Sequence, residues 1–106
     1  MEGPKHNILK NRIALELQKV GYYVIQEGII EHYQIDIIAF NNDRVVKLIE
    51  IVNTQLLTNA MAKLNSINIK DCEKAIVRYR KKRNPKAEVI IQKIKDSGIL
   101  FLEVDP

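Results

Sequence analysis

Two apolar runs separated by a short polar turn constrain this chain more than any other feature. They are Tyr33-Gln34-Ile35-Asp36-Ile37-Ile38-Ala39-Phe40 and Val45-Val46-Lys47-Leu48-Ile49-Glu50-Ile51-Val52, with Asn41-Asn42-Asp43 between them. Runs this rich in β-branched residues read as strands. The short turn makes them an antiparallel hairpin. Near-continuous apolar strands are those a sheet buries on both faces. Yet each run carries one carboxylate, Asp36 in the first and Glu50 in the second. A buried charge is costly unless it is paired or holds a metal, so two on successive strands suggest a site.

The remaining elements follow from periodicity and punctuation. Leu9, Ile13, Leu17 and Val20 fall on one helical stripe, which predicts a helix from about Asn7, its candidate cap, to Val20, ended by Gly21. Residues 22–30 read as a strand, with Gly28 a candidate bend. The hairpin occupies 33–40 and 44–53. Asn53 or Thr54 opens a second helix to about Ser66, packing Leu56, Leu57, Ala60, Met61 and Leu64. Residues 75–79 form a short strand, and Asn84-Pro85 starts a third helix over about 86–97. That helix is expected to pack Val89, Ile90 and Ile94 before stopping at Gly98, and 99–104 is a last strand, either central or an edge. The order α-β-β-β-α-β-α-β implies an α/β fold with a mixed central sheet flanked by helices.

The whole of 1–106 is expected to be one domain, and 46% hydrophobic with 28% charged residues is a globular composition. No apolar run approaches the roughly 20 residues of a membrane span, and Met-Glu-Gly-Pro-Lys-His-Asn begins no signal segment. The expectation is an intracellular, cytoplasmic protein that does not engage a membrane. Cys72 stands alone, which excludes an internal disulfide and a cysteine zinc cluster; it reads as a small buried hydrophobe. His6 and His32 are too far apart in sequence to form a ligand pair by themselves. The net charge is +4, and the basic residues form one dense cluster of Arg78, Arg80, Lys81, Lys82, Arg83 and Lys86 and a weaker one of Lys5, His6, Lys10 and Arg12. Such a cluster suits nucleic acid, DNA in the first instance, or is simply a solvated loop.

Alternation puts Leu48, Glu50 and Val52 on one face of their strand and Lys47, Ile49 and Ile51 on the other. Pairing through the short turn brings Asp36 and Glu50 together on one face. Adjacent carboxylates stay ionised only beside a cation. Oxygen-only ligands favour Mg²⁺ or Mn²⁺, and such a cation with open water positions suits phosphodiester hydrolysis.

The chain resembles the PD-(D/E)XK nuclease superfamily, and within it the small archaeal Holliday-junction-resolvase-like proteins. The resemblance covers most of the chain. It rests on a leading helix ending in Val20-Gly21-Tyr22-Tyr23-Val24, then Ile35-Asp36-Ile37-Ile38-Ala39, then Leu48-Ile49-Glu50-Ile51-Val52, with a helix and a strand after it. It implies a restriction-endonuclease-like αβββαβ core and a single nuclease-like domain. Asp36 matches the motif's Asp and Glu50 its Asp/Glu, with thirteen residues between them. The family pattern makes the Ile51 carbonyl the third ligand of Mg²⁺ (or Mn²⁺), and it implies pairing into homodimers that act on two DNA strands.

Two positions depart from the pattern. The motif lysine falls on Val52, which cannot orient water or stabilise charge developing on phosphate. The glutamate of the first helix falls near Lys10, whose charge opposes a cation. Lys63 on the second helix is the candidate replacement for the ammonium group. Glu16, at the edge of the apolar stripe, is the candidate for assisting metal or water. Lys47 is a poorer replacement because its side chain leaves the opposite strand face. Three readings follow. One is a metal-dependent DNA endonuclease, with branched DNA as a substrate. The second is a catalytically inactive nuclease-fold module binding nucleic acid or a protein partner, which Val52 and Lys10 favour. The third is an interaction domain whose acids are structural and paired with lysine or arginine.

Overall fold

A computed structural model describes residues 3–52 and 57–106. The elements are α1 (Pro4–Lys19), β1 (Tyr23–Ile30), β2 (Tyr33–Asn41), β3 (Arg44–Ile51), α2 (Leu57–Ser66), β4 (Glu73–Tyr79), α3 (Pro85–Asp96) and β5 (Leu100–Val104). The expected helix start at Asn53 or Thr54, and the packing of Leu56, lie outside the described residues.

The first helix starts earlier than its apolar stripe predicts. Gly3 is its N-cap and Pro4 its first residue, where a fixed φ costs nothing and the missing N–H is not needed. It ends as expected at Gly21, whose φ of +104° suits glycine. Val20, expected on the apolar stripe, is 72% exposed because it caps the helix beyond the last buried turn.

The strands form one five-stranded sheet in the order β1-β2-β3-β4-β5. The first three pair antiparallel, whereas β3–β4 and β4–β5 are parallel and are joined through α2 and α3. The fold is therefore α/β with a mixed sheet, and β5 is an edge strand. Asn42 and Asp43, with φ of +52° and +65°, make the β2–β3 turn, the left-handed pair that a two-residue type I′ hairpin requires.

Helices cover both sheet faces. Leu9 and Ala14 of α1 pack with Ile37, Ile49, Ile51 and Val77 on one side. On the other, Leu57, Ala60 and Leu64 of α2 and Ile91 and Ile94 of α3 pack with Ile38, Leu48, Val52 and Ile76. In α3 it is Ile91 rather than Val89 that is buried, and Val89 is 56% exposed. The pair Ile91 and Ile94 lies three residues apart, on the face of α3 that meets the sheet. No helix among the described residues is long and apolar enough to cross a membrane.

Candidate functional site

The site sits where the β2–β3 ladder stops. The last paired residues on that side are Ile37 and Ile49. Beyond them the two carboxylates replace the ladder with side-chain bonds. The Asp36 N–H donates to Glu50 Oε2 at 3.0 Å, and the Ile51 N–H donates to Asp36 Oδ2 at 2.7 Å. Each acid thus satisfies a buried backbone N–H next to the other acid, the bonding a buried polar group requires.

Strand alternation breaks at the same place. Ile35 and Ile38 pack in the same core layer, while Ile37 faces the α1 side. Across from Asp36, between the pairs Gln26–Ile37 and Gly28–Ile35, lies Glu27 with φ +57°. This irregularity leaves Asp36 buried but within reach of α1, and His6 Nε2 lies 3.3 Å from Asp36 Oδ2.

Cations arrive from two helices. Lys63 Nζ of α2 stands 2.5 Å from Glu50 Oε1 and donates to the Gln34 carbonyl at 2.9 Å. On the α1 side, Lys10 is buried and its Nζ lies 3.2 Å from Glu27 Oε1. The Glu50 carboxyl is nonetheless pushed above its ordinary range, first by burial and then by the Asp36 charge, with Lys63 opposing both. Among the described residues no group of three His, Cys, Asp or Glu side chains converges to hold a metal. Both Glu50 oxygens and Asp36 Oδ2 already face protein donors, so a cation held here would share these carboxylates, which as oxygen ligands suit a hard divalent ion.

The candidate residues divide accordingly. Asp36, Glu50 and Lys63 come together. Ile51 adjoins them, with its N–H on Asp36. Glu16 does not join them: its side chain is 68% exposed and pairs with Lys19 one turn on, because the buried face of α1 is the stripe of His6, Leu9, Lys10 and Ala14. Gln55 lies outside the described residues. Val52 is buried in the α2/α3 core layer and also borders the cavity lined by the basic cluster.

The basic cluster is not a uniform surface. Arg78 is 3% exposed, and its Nε donates to Glu103 Oε2 at 3.0 Å. It occupies an inward strand position beside Ile76 in alternation, so it belongs to the wall of the cavity described below rather than to the exposed basic surface. Arg83 donates to the other oxygen of Glu103 and also meets Glu88, and Arg80 pairs with Asp105. Burial alone pushes the Glu103 carboxyl up, but hydrogen bonds and charge from Arg83 and Arg78 outweigh it and hold it below its ordinary value. Lys81, Lys82 and Lys86 are exposed and line a cavity of about 450 Å³. Cys72 is half-buried against the α2/α3 core layer, and burial pushes its thiol up.

Sequence reasoning named His6 and Lys10 without their partners Asp36 and Glu27, and it missed Glu103. Glu103 carried the same signal as Asp36 and Glu50, a lone carboxylate in an apolar strand. Compared with family models, curated proteins and solved structures, the chain finds no match in any of the three.

Proposed function

We propose that this chain is a restriction-endonuclease-like protein that hydrolyses phosphodiester bonds of DNA, branched DNA included, with its reacting centre at Asp36, Glu50 and Lys63. The observation that carries the reading is the Lys63 ammonium on the Glu50 carboxylate. It supplies, from α2, the charge that Val52 cannot supply from β3. The element order and the mixed sheet support the same reading.

Asp36, Glu50 and the Ile51 carbonyl would hold Mg²⁺ or Mn²⁺. When bound, such an ion acts as a Lewis acid on phosphate and lowers the pKa of water. The protein's own contribution is positional. Glu50 and the Gln34 carbonyl fix the Lys63 ammonium through two of its three N–H donors. The third N–H serves the phosphate oxygen on which negative charge develops. The Asp36–Ile51 and Glu50–Asp36 bonds hold both carboxylates on rigid strands, so little reorganisation accompanies reaction. We further propose that two copies pair to meet two strands. The edge strand β5, with Leu100 and Leu102 about half exposed at 45% and 48%, offers a surface for this.

A second reading has its own observation. Both acids already cap backbone N–H groups, so they suffice as structural residues of an inactive nucleic-acid-binding or protein-binding module. Titration of Mg²⁺ and Mn²⁺ with labelled branched, single-stranded and duplex DNA separates the two. Metal-dependent cleavage lost in folded Asp36→Asn and Glu50→Gln variants supports the enzyme. Binding without cleavage, unchanged in both variants, supports the inactive module.

A further inference from the structure

A cavity between the end of β4 and the start of α3 is a second, unassigned feature. It is lined by Arg78, Lys81, Lys82 and Lys86, by Val52, Leu57 and Ile90 on its apolar side, and by Asn84 at the start of α3. No acidic side chain among the described residues lines it. Its volume of about 450 Å³ lies in the range of small-molecule sites.

Arg78 is the telling residue. It is 3% exposed, and its Nη2 is buried with no hydrogen-bond partner in the protein. Buried guanidinium nitrogens are ordinarily paired, and one left unpaired calls for an explanation. Glu103 cannot supply it. Its two oxygens are divided between Arg78 Nε and Arg83, and both guanidiniums also lie over the Phe101 ring, 5.2 and 5.7 Å from its centroid. With Glu103 divided in this way and Glu88 turned to Arg83, Arg78 Nη2 is left without a protein acceptor beside a cavity whose charged lining is otherwise lysine.

Two further features favour an oxyanion there. The twelve-residue helix α3 begins at this cavity, with Asn84 as its N-cap, so the positive end of its dipole faces the same space. The cavity also lies beyond the carboxyl ends of the parallel strands β3 and β4, where open α/β sheets bind ligands. Val52, two residues past Glu50 and directly after β3, forms part of its wall. Along a strand that is about 7 Å, within the reach of a nucleotide unit held at the acid pair.

We propose that this cavity is a phosphate-binding pocket in which Arg78 Nη2, Lys82 and Lys86 hold a phosphate of the nucleic-acid strand, with the attached nucleoside against Val52, Leu57 and Ile90. The strand assignment rests on the nuclease-fold reading; the oxyanion site does not. Tetrahedral phosphate presents several acceptor oxygens to a guanidinium and two ammonium groups at once.

The test uses the full chain without added metal and three probes: inorganic phosphate, a thymidine tetranucleotide with and without a 5′-phosphate, and an oligoglutamate peptide. Binding is read by calorimetry and by the NMR signals of the arginine Nε–H groups. Phosphate should move the Arg78 signal, and the phosphorylated oligonucleotide should bind at least tenfold more tightly than phosphate. Lys82→Ala/Lys86→Ala, which alters only exposed lysines, should weaken both ligands at least tenfold without changing the fold. Asp36→Asn should leave phosphate binding intact. No Arg78 response to phosphate, or equal affinity in the double variant, overturns the pocket even if the protein cleaves DNA. Tighter binding of oligoglutamate than of either phosphate ligand overturns it in favour of an acidic protein partner. Phosphate binding without cleavage under any metal overturns the nuclease reading and leaves the pocket standing. Oligonucleotide binding that ignores the lysine variant overturns the assignment of the strand to this pocket.

Discussion

Lys63→Met removes the ammonium from Glu50 and keeps most of the apolar stem. The Glu50 side chain is 2% exposed and that of Lys63 31%. An exposed ion pair contributes about 0.2–1 kcal/mol, whereas removing one partner of a fully buried pair costs about 3–5 kcal/mol. With one partner sealed and the other part-exposed, the cost here should be about 2–3 kcal/mol at neutral pH. In urea, at a slope of about 1–3 kcal/mol per molar, the midpoint should fall by roughly 1–2 M. The pH dependence makes the argument sharper. Burial and the Asp36 charge hold the Glu50 carboxyl above its ordinary 4.5, and Lys63 is the group that opposes them. Without Lys63 it rises further. A carboxyl raised in the folded state contributes stability below its unfolded pKa and loses it as pH climbs through the folded one. The gap between wild type and variant should therefore be small at and below about 4.5 and widen toward neutrality. Adding Glu50→Gln to Lys63→Met removes the stranded charge and should recover most of the loss. A gap below about 0.5 kcal/mol at neutral pH, a gap flat in pH, or an additive double variant refutes the pairing argument.

Asp36→Ala orphans the buried Ile51 N–H and should cost about 1–3 kcal/mol, while Asp36→Asn, which keeps an acceptor, should cost clearly less; thermal melting of the two variants checks this. Glu103 is held below its ordinary 4.5, so its contribution is present above that value and lost as pH falls through the folded pKa. Glu103→Gln should therefore be less stable than wild type at neutral pH and converge with it in acid, as read by denaturation at pH 7 and pH 3. Asn84 Oδ1 accepts the Ala87 N–H at 2.7 Å, so Asn84→Ala should lower stability by about 1 kcal/mol, visible in amide exchange of the first turn of α3.

Local signals carried most of the fold. The hairpin was legible because β-branched runs and a turn tolerant of positive φ act over a few residues, and Asn42 and Asp43 adopt that conformation. Gly21 and Asn84-Pro85 marked helix ends for equally local reasons. Helix faces were less legible. Val20 and Val89 are apolar yet exposed, because which stripe meets the sheet depends on how the helix lies across it.

Residue chemistry alone singled out Asp36 and Glu50, since lone charges in apolar strands must find partners, whereas Lys63 entered through the family resemblance, as a replacement for the motif lysine. The identity of those partners was decided in three dimensions. His6 reaches Asp36 only because α1 crosses the break in β2, and Lys10 finds Glu27 only because β1 lies at the edge beside β2. Arg78 turns inward because the parallel register of β4 and β5 sets it directly beside Glu103, twenty-five residues away. Strand periodicity and turn chemistry are properties of neighbouring residues and can be read along the chain. Register between distant strands and the crossing of a helix over a sheet are set by the packing of the whole core, and it is these that determine which charges meet.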